Sequence, residues 1–159
     1  MWKDKRSGKV AIVAHCILNQ NSRALGLAKK SSAITEIAEF LMNKDMGIIQ
    51  MPCPELAYSG LLRPPQTKDQ YDNLKFRGHC RKIAEEVANQ VEEFSKGGIK
   101  TKIIIGVDGS PSCGVKDSGI FIEELRLILK ERKIMMPFYG IRYERLFEDL
   151  AELEKLIRD

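Results

Sequence analysis

Apolar residues recur along this chain in two rhythms. Four short runs are almost continuously apolar: Lys9 to His15, Gly47 to Met51, Thr101 to Val107 and Ile134 to Tyr139, each rich in Ile, Val or Met. Runs of this length without alternation predict strands covered on both faces. Between them, apolar positions return every three or four residues. Ile34, Ile37, Ala38, Leu41 and Met42 share one face of a helix that Ser31 or Ser32 can cap. Thr67 and Gln70 have capping-box spacing and open a long helix carrying Leu74, Ile83, Val87, Val91 and Phe94, which Gly97 and Gly98 stop. Gly78 weakens that helix midway and predicts a bend. Ser118 precedes a third helix with Ile122, Leu125 and Leu129, and a fourth packs Leu146, Phe147, Leu150, Leu153 and Ile157.

Strand and helix thus alternate four times. The pattern predicts a three-layer, Rossmann-like α/β domain spanning residues 1–159, with a four-stranded parallel sheet in the order 2-1-3-4, right-handed crossovers and helices on both faces. No linker, internal repeat or low-complexity tract interrupts it. That strand order sets a topological switch between the first and third strands, the place where open α/β sheets bind ligands.

Charge and cysteine usage narrow the picture. The formal net charge of +4 lies partly in the leading stretch Trp2 to Arg6, which reads as a solvated tail and not as a nucleic-acid arm. No apolar stretch reaches the ~20 residues of a membrane span, and no signal-peptide core precedes the first strand, so a cytoplasmic protein is expected. The four cysteines are too sparse for a disulfide scaffold and form no Cys-x-x-Cys pair, so reduced thiols are expected.

Three of those cysteines fall just where an apolar run stops: Cys16, Cys53 and Cys113. In a parallel sheet these ends meet along one edge. Cys16 opens a polar loop containing Asn19 and Arg23, which offer amide and guanidinium donors. Cys53 stands between Pro52 and Pro54, which fix the backbone and argue against a helix there. Glu55 follows, a candidate proton donor or acceptor if burial raises its pKa, and otherwise a helix-start carboxylate. Cys113 sits in the Gly- and Ser-rich turn Asp108 to Gly114, where Ser110, Ser112 and backbone N–H groups can surround a sulfur or an anion. The turn lacks the Walker phosphate-loop pattern. Cys80 lies within the long helix and reads as packing, and Arg63-Pro64-Pro65 reads as a rigid turn.

Several ligand chemistries suit such thiols. Zinc with three thiolates and a water stays open, although His15 and Cys16, as neighbours on a strand, would point to opposite faces. A cysteine nucleophile with a histidine base is limited by the placing of His15 and His79 and leaves two thiols unexplained. A 4Fe-4S cluster uses all three thiolates and keeps one iron open as a Lewis acid for soft sulfur.

The segments Cys16 to Gly26, Pro52 to Glu55 with Gly60 to Pro65 downstream, and Ser110 to Gly114 resemble those of the thiouracil desulfurase family, whose members carry a 4Fe-4S cluster. The resemblance implies Cys16, Cys53 and Cys113 as cluster ligands and Glu55 and Ser110 as catalytic groups. Asn19, Arg23 and Ser112 are the candidate substrate contacts. It implies a non-redox desulfidase acting on a C=S bond, with water replacing sulfur on carbon and hydrosulfide leaving. The chain has Asn19 where the family commonly has glycine, and Arg23-Ala24-Leu25-Gly26 where Arg-Tyr-Asp-Gly is expected. The missing aspartate leaves the small thiolated substrate open among a base, a nucleoside and another sulfur compound. Thiolated tRNA is not favoured by so weak a charge. A cluster- or sulfide-transfer protein without hydrolysis, and a three-thiolate zinc protein, are the alternatives; the sequence does not fix the oligomeric state.

Overall fold

The computed structural model describes residues 2–158. Four strands, β1 (Lys9–Val13), β2 (Gly47–Gln50), β3 (Lys100–Val107) and β4 (Phe138–Ile141), form one parallel sheet in the order β2-β1-β3-β4. Val13 is in register with Gln50 on one side and Ile105 on the other. The ladder runs one step further, as Met51 N–H donates to the Val13 carbonyl and Ala14 N–H to the Ile105 carbonyl, both at 2.8 Å. The chain segments that follow β1, β2 and β3 therefore leave the sheet at the same edge.

The chain steps from β1 to β2 in one direction and from β2 back to β3 and β4 in the other. With right-handed crossovers, that reversal sends the connecting helices to opposite faces. Accordingly α5 (Leu74–Lys96) packs on α6 (Ile120–Glu131) and on β3, while α2 (Thr35–Asn43) packs on β2 and on α7 (Leu146–Leu156). Ile12, Ile103, Ile104 and Ile105 in the sheet and Ile37, Leu41, Phe76 and Phe121 on the helices are completely buried. Each such side chain contributes about 1.5–3 kcal/mol relative to exposure. The edge strand β2 is only half covered, with Gly47 and Gln50 exposed. Among the described residues no helix is long and apolar enough to cross a membrane.

Several boundaries differ from the sequence expectation. β1 stops at Val13, and His15 instead begins the helical turn α1 (His15–Leu18). β4 starts at Phe138 because only Phe138–Ile141 find partners on β3; Ile134 and Met136 pack against the core without pairing in the sheet. Ile34, not Ser31 or Ser32, precedes α2 as its cap residue, with no side-chain bond. The Thr67–Gln70 capping box forms with both of its bonds, but it opens the single turn α4 (Lys68–Tyr71). Asp72 and Asn73 interrupt, and Asn73 then caps α5 by accepting from Phe76 N–H at 2.9 Å. α5 continues unbroken through Gly78. Gly119 rather than Ser118 caps α6.

One close approach fixes the loop between β3 and α6. A Cβ on Gly106 would overlap the Cys113 carbonyl, and one on Gly119 would overlap the Ser112 backbone. Val107 N–H donates to the Cys113 carbonyl at 3.0 Å, and Ile120 and Ile122 N–H groups at the start of α6 donate to the carbonyls of Pro111 and Ser112 at 2.9 and 3.1 Å. The first turn of α6, which lacks a side-chain cap, is thus completed by the loop itself. Gly106→Ala should destabilise the fold by about 2 kcal/mol or more, because backbone must move. Gly78→Ala, on an exposed helical position with open space around the new Cβ, should stabilise by up to about 1 kcal/mol. Urea unfolding of the two variants beside the parent checks both signs.

Candidate active site

Each of the three strand-end cysteines is aimed by its own local device. Cys16 sits in α1, directly after the chain turns away from β1. Cys53 is the cap residue of α3 (Pro54–Ser59), and its sulfur accepts from Leu56 N–H at 3.4 Å. The expectation that two prolines exclude a helix here is corrected: Pro54 occupies the first helical position, where a missing N–H removes no intrahelical bond. Cys113 is held by Ser110, whose Oγ accepts from the N–H groups of Cys113 at 3.0 Å and Ser112 at 3.3 Å. Serine thus closes the turn through its side chain.

The three thiols line one cavity of about 250 Å³ together with Arg23, Glu55, Arg63, Ser110 and Ser112. Glu55 is buried. Its Oε2 accepts from Ser112 Oγ at 2.6 Å, and its Oε1 faces Arg63 Nε at 3.5 Å. Arg63, which the sequence presented as a turn residue, is itself only 6% exposed and donates to the carbonyls of Gly60 at 3.1 Å and Ser22 at 2.9 Å, with its Nη2 also 4.0 Å from Cys53 Sγ. Its sole sequence signal was the pair Pro64-Pro65, which stiffens the loop that delivers it.

The other expected contacts divide. Arg23 lies in the cavity wall, stacked 4.8 Å over the Tyr143 ring, and its Nη1 is buried without a hydrogen-bond partner. Asn19 is exposed and outside the cavity wall, because its Oδ1 is engaged by Asn21 N–H at 3.1 Å to cap the 3-10 turn Gln20–Ser22. His15 lines the cavity but its Nδ1 lies 3.2 Å from the Met51 carbonyl, and His79 Nε2 lies 3.0 Å from the Pro54 carbonyl. Both rings are thus turned to backbone, not to a thiol. Cys80 is fully buried, outside the cavity, with its thiol pushed up to about 12 by burial. Tyr143, unmarked in the sequence, stands with its hydroxyl 3.9 Å from Cys16 Sγ.

Burial pushes all three cavity thiols above their ordinary range. Cys113 rises furthest, helped by its neighbours Cys53 and Cys16. For Cys16, Arg23 and Tyr143 act against the rise, and for Cys53 the Leu56 N–H and Arg63 do so. Protein alone therefore favours neutral thiols here. Three free thiols around one cavity fit a group that brings its own positive charge and can hold them as thiolates. Among the described residues no three His, Cys, Asp or Glu side chains are set to hold a single metal ion.

The fold and cavity together define a class: a Rossmann-like α/β protein with a thiol- and carboxylate-lined pocket at its switch edge. Residues 8–124 match the family described as "Putative 2-thiouracil desulfurase", and the chain belongs to that family. An uncharacterized protein of Methanocaldococcus jannaschii is 37% identical over 155 residues, a span of 94% of this chain and 97% of that relative. A solved structure described as the 4Fe-4S-dependent thiouracil desulfidase TudS superposes with a TM-score of 0.53 at 20% identity, covering 94% of this chain and 99% of that one, a likeness of fold.

The buried Glu55–Arg63 pair yields a stability test. Arg63→Met should cost about 3–5 kcal/mol, because it leaves a buried carboxylate short of its counter-charge. Adding Glu55→Gln to that variant should recover part of the loss, and a double-mutant cycle by chemical unfolding measures the recovery.

Proposed function

We propose that this protein is a desulfidase that removes sulfur from the C=S bond of a small thiolated substrate, a thiouracil or another thiolated base or nucleoside, with Cys16, Cys53 and Cys113 holding a 4Fe-4S cluster. The observation that carries this reading is the convergence of three free thiols, Cys113 buried and Cys16 and Cys53 partly buried, on one cavity beside a carboxylate gripped by Ser112 and Arg63. Membership of the desulfurase family supports it, as does the cluster dependence stated for the structural relative. Bound there, the cluster would supply an iron with an open position, a Lewis acid with affinity for soft sulfur.

The reaction consumes one water per thiocarbonyl: a C–O bond forms, the C–S bond breaks, and sulfur departs as hydrosulfide with release of one proton. Glu55 is the group suited to take a proton from the attacking water. Ser112 fixes the carboxylate through Oε2, and Arg63 faces it at Oε1, so both oxygens are oriented. Ser110 accepts two loop N–H groups and keeps its own hydroxyl hydrogen available toward the cavity or Ser112, 3.4 Å away. The unpartnered Nη1 of Arg23 is the donor for a carbonyl or anionic oxygen of the substrate. Asn19, the other expected contact, lies outside the cavity wall with its Oδ1 accepting from Asn21 N–H.

Anaerobic purification followed by reconstitution with iron and sulfide, with metal analysis and a visible spectrum, is the direct test. About four irons with matching sulfide, brown colour, and conversion of 2-thiouracil to uracil with hydrosulfide release are expected. Stoichiometric zinc without colour would overturn the reading, and a stable cluster without substrate consumption would replace it by cluster or sulfide transfer. Serine at position 16, 53 or 113 should abolish the cluster, whereas Cys80→Ser should retain it. Glu55→Gln should keep full iron content and lower kcat by roughly 100-fold or more.

A further inference from the structure

We propose that Tyr143 is a positioning residue that donates its hydroxyl hydrogen to the sulfur of Cys16 and thereby sets the electron density on that one thiolate. The proposal rests on the cluster reading above. It concerns a residue beyond the stretch 8–124 that matches the family, so the family match says nothing of it.

The direction of the hydrogen bond follows from its surroundings. Gln20 is 1% exposed, and its Oε1 accepts from the backbone N–H groups of Lys29 at 3.0 Å and Lys30 at 3.4 Å. Backbone N–H groups cannot reverse their role, so the amide orientation of Gln20 is fixed. Its Nε2 then points to the Cys16 carbonyl at 2.7 Å and to the Tyr143 hydroxyl oxygen at 3.0 Å. Tyr143 is thus the acceptor toward Gln20, and its own hydrogen is left for Cys16 Sγ, 3.9 Å away. The Arg23 guanidinium over the ring favours that donation by drawing electron density from the phenol.

The tyrosine is placed from the C-terminal segment independently of the cavity. Asp149 is completely buried and accepts from Arg142 N–H at 2.7 Å, from Tyr139 hydroxyl at 2.6 Å and from Arg142 Nη2 at 3.2 Å. These bonds fix the residue immediately before Tyr143. The other two thiols are served differently: Cys53 by the Leu56 N–H, and Cys113 by Ser112, whose single hydrogen is already committed to Glu55 at 2.6 Å against 3.7 Å to the sulfur. Cys53 also has the Arg63 guanidinium near it, with Nη2 4.0 Å from its sulfur, whereas the donor to Cys16 is a neutral hydroxyl delivered from the C-terminal segment.

Hydrogen bonds to ligand sulfurs stabilise the more reduced, more negative state of an iron–sulfur cluster. In reconstituted protein, Tyr143→Phe should therefore shift the midpoint potential to a more negative value and raise an iron–thiolate stretching frequency, with iron content and unfolding midpoint little changed. Incorporating 3-fluorotyrosine at position 143, a stronger donor of the same shape, should shift the potential the other way. Equal potentials for the parent and both variants, all fully loaded, would overturn the role of Tyr143 and leave the desulfidase reading standing. Failure of the parent itself to take up iron and sulfide would overturn the cluster reading, and this inference with it.

Discussion

The register of β1 between its two neighbours is the constraint on which the rest depends. Val13 is matched at once to Gln50 and Ile105, and the ladder carries through Ala14 and Met51 before the three segments part. A shift of one residue in a parallel strand would turn its side chains to the other face of the sheet and move its end along the edge. Cys16 would then no longer share a cavity with Cys53 and Cys113. Ala11, Ile12 and Val13, all fully buried, make that shift prohibitive. Core packing and the composition of the cavity are thus set by the same few strand residues.

The cavity concentrates groups that disfavour burial singly. Three thiols, a carboxylate and two guanidinium groups occupy its wall. The carboxylate is held by Ser112 and Arg63, and Arg63 also satisfies two carbonyls, so this half of the wall is internally matched. In the same wall the Arg23 Nη1 has no hydrogen-bond partner, and each thiol has only long contacts to donors. Buried polar groups left without partners are costly, and where they cluster they mark the place for a ligand. The matched Glu55–Ser112–Arg63 group shapes the pocket, and the unpartnered Arg23 Nη1 is left for what enters it.

Strand order, the placing of the helices and the meeting of the three thiols were legible in the sequence, because continuous apolar runs and parallel topology leave few alternatives. Local backbone chemistry was less so. Pro52 and Pro54 suggested an irregular segment, yet a proline at the first helical position is compatible with the helix that Cys53 caps. Ile134 and Met136 look like strand residues because they pack against the core, although they make no sheet pairs. Asn19 offered a polar side chain in the right loop, but its short amide accepts from the N–H of Asn21, two residues on, and caps the turn there. Arg63 reaches Glu55 in the cavity and Tyr143 reaches Cys16 across sequence separations of 8 and 127 residues, and single-residue patterns do not encode such meetings.

The loop carrying Cys113 has a further consequence. Its carbonyls complete the first turn of α6, its backbone is pressed against Gly106 and Gly119, and its Ser110 hydroxyl ties it internally. Lifting the loop would fray a helix whose Phe121, Ile122 and Leu125 are core residues. Loop and helix therefore open together, as one cooperative unit, on the slow timescale of core unfolding and not the fast one of surface loops. That wall of the cavity is a fixed boundary, as durable as the protein's interior.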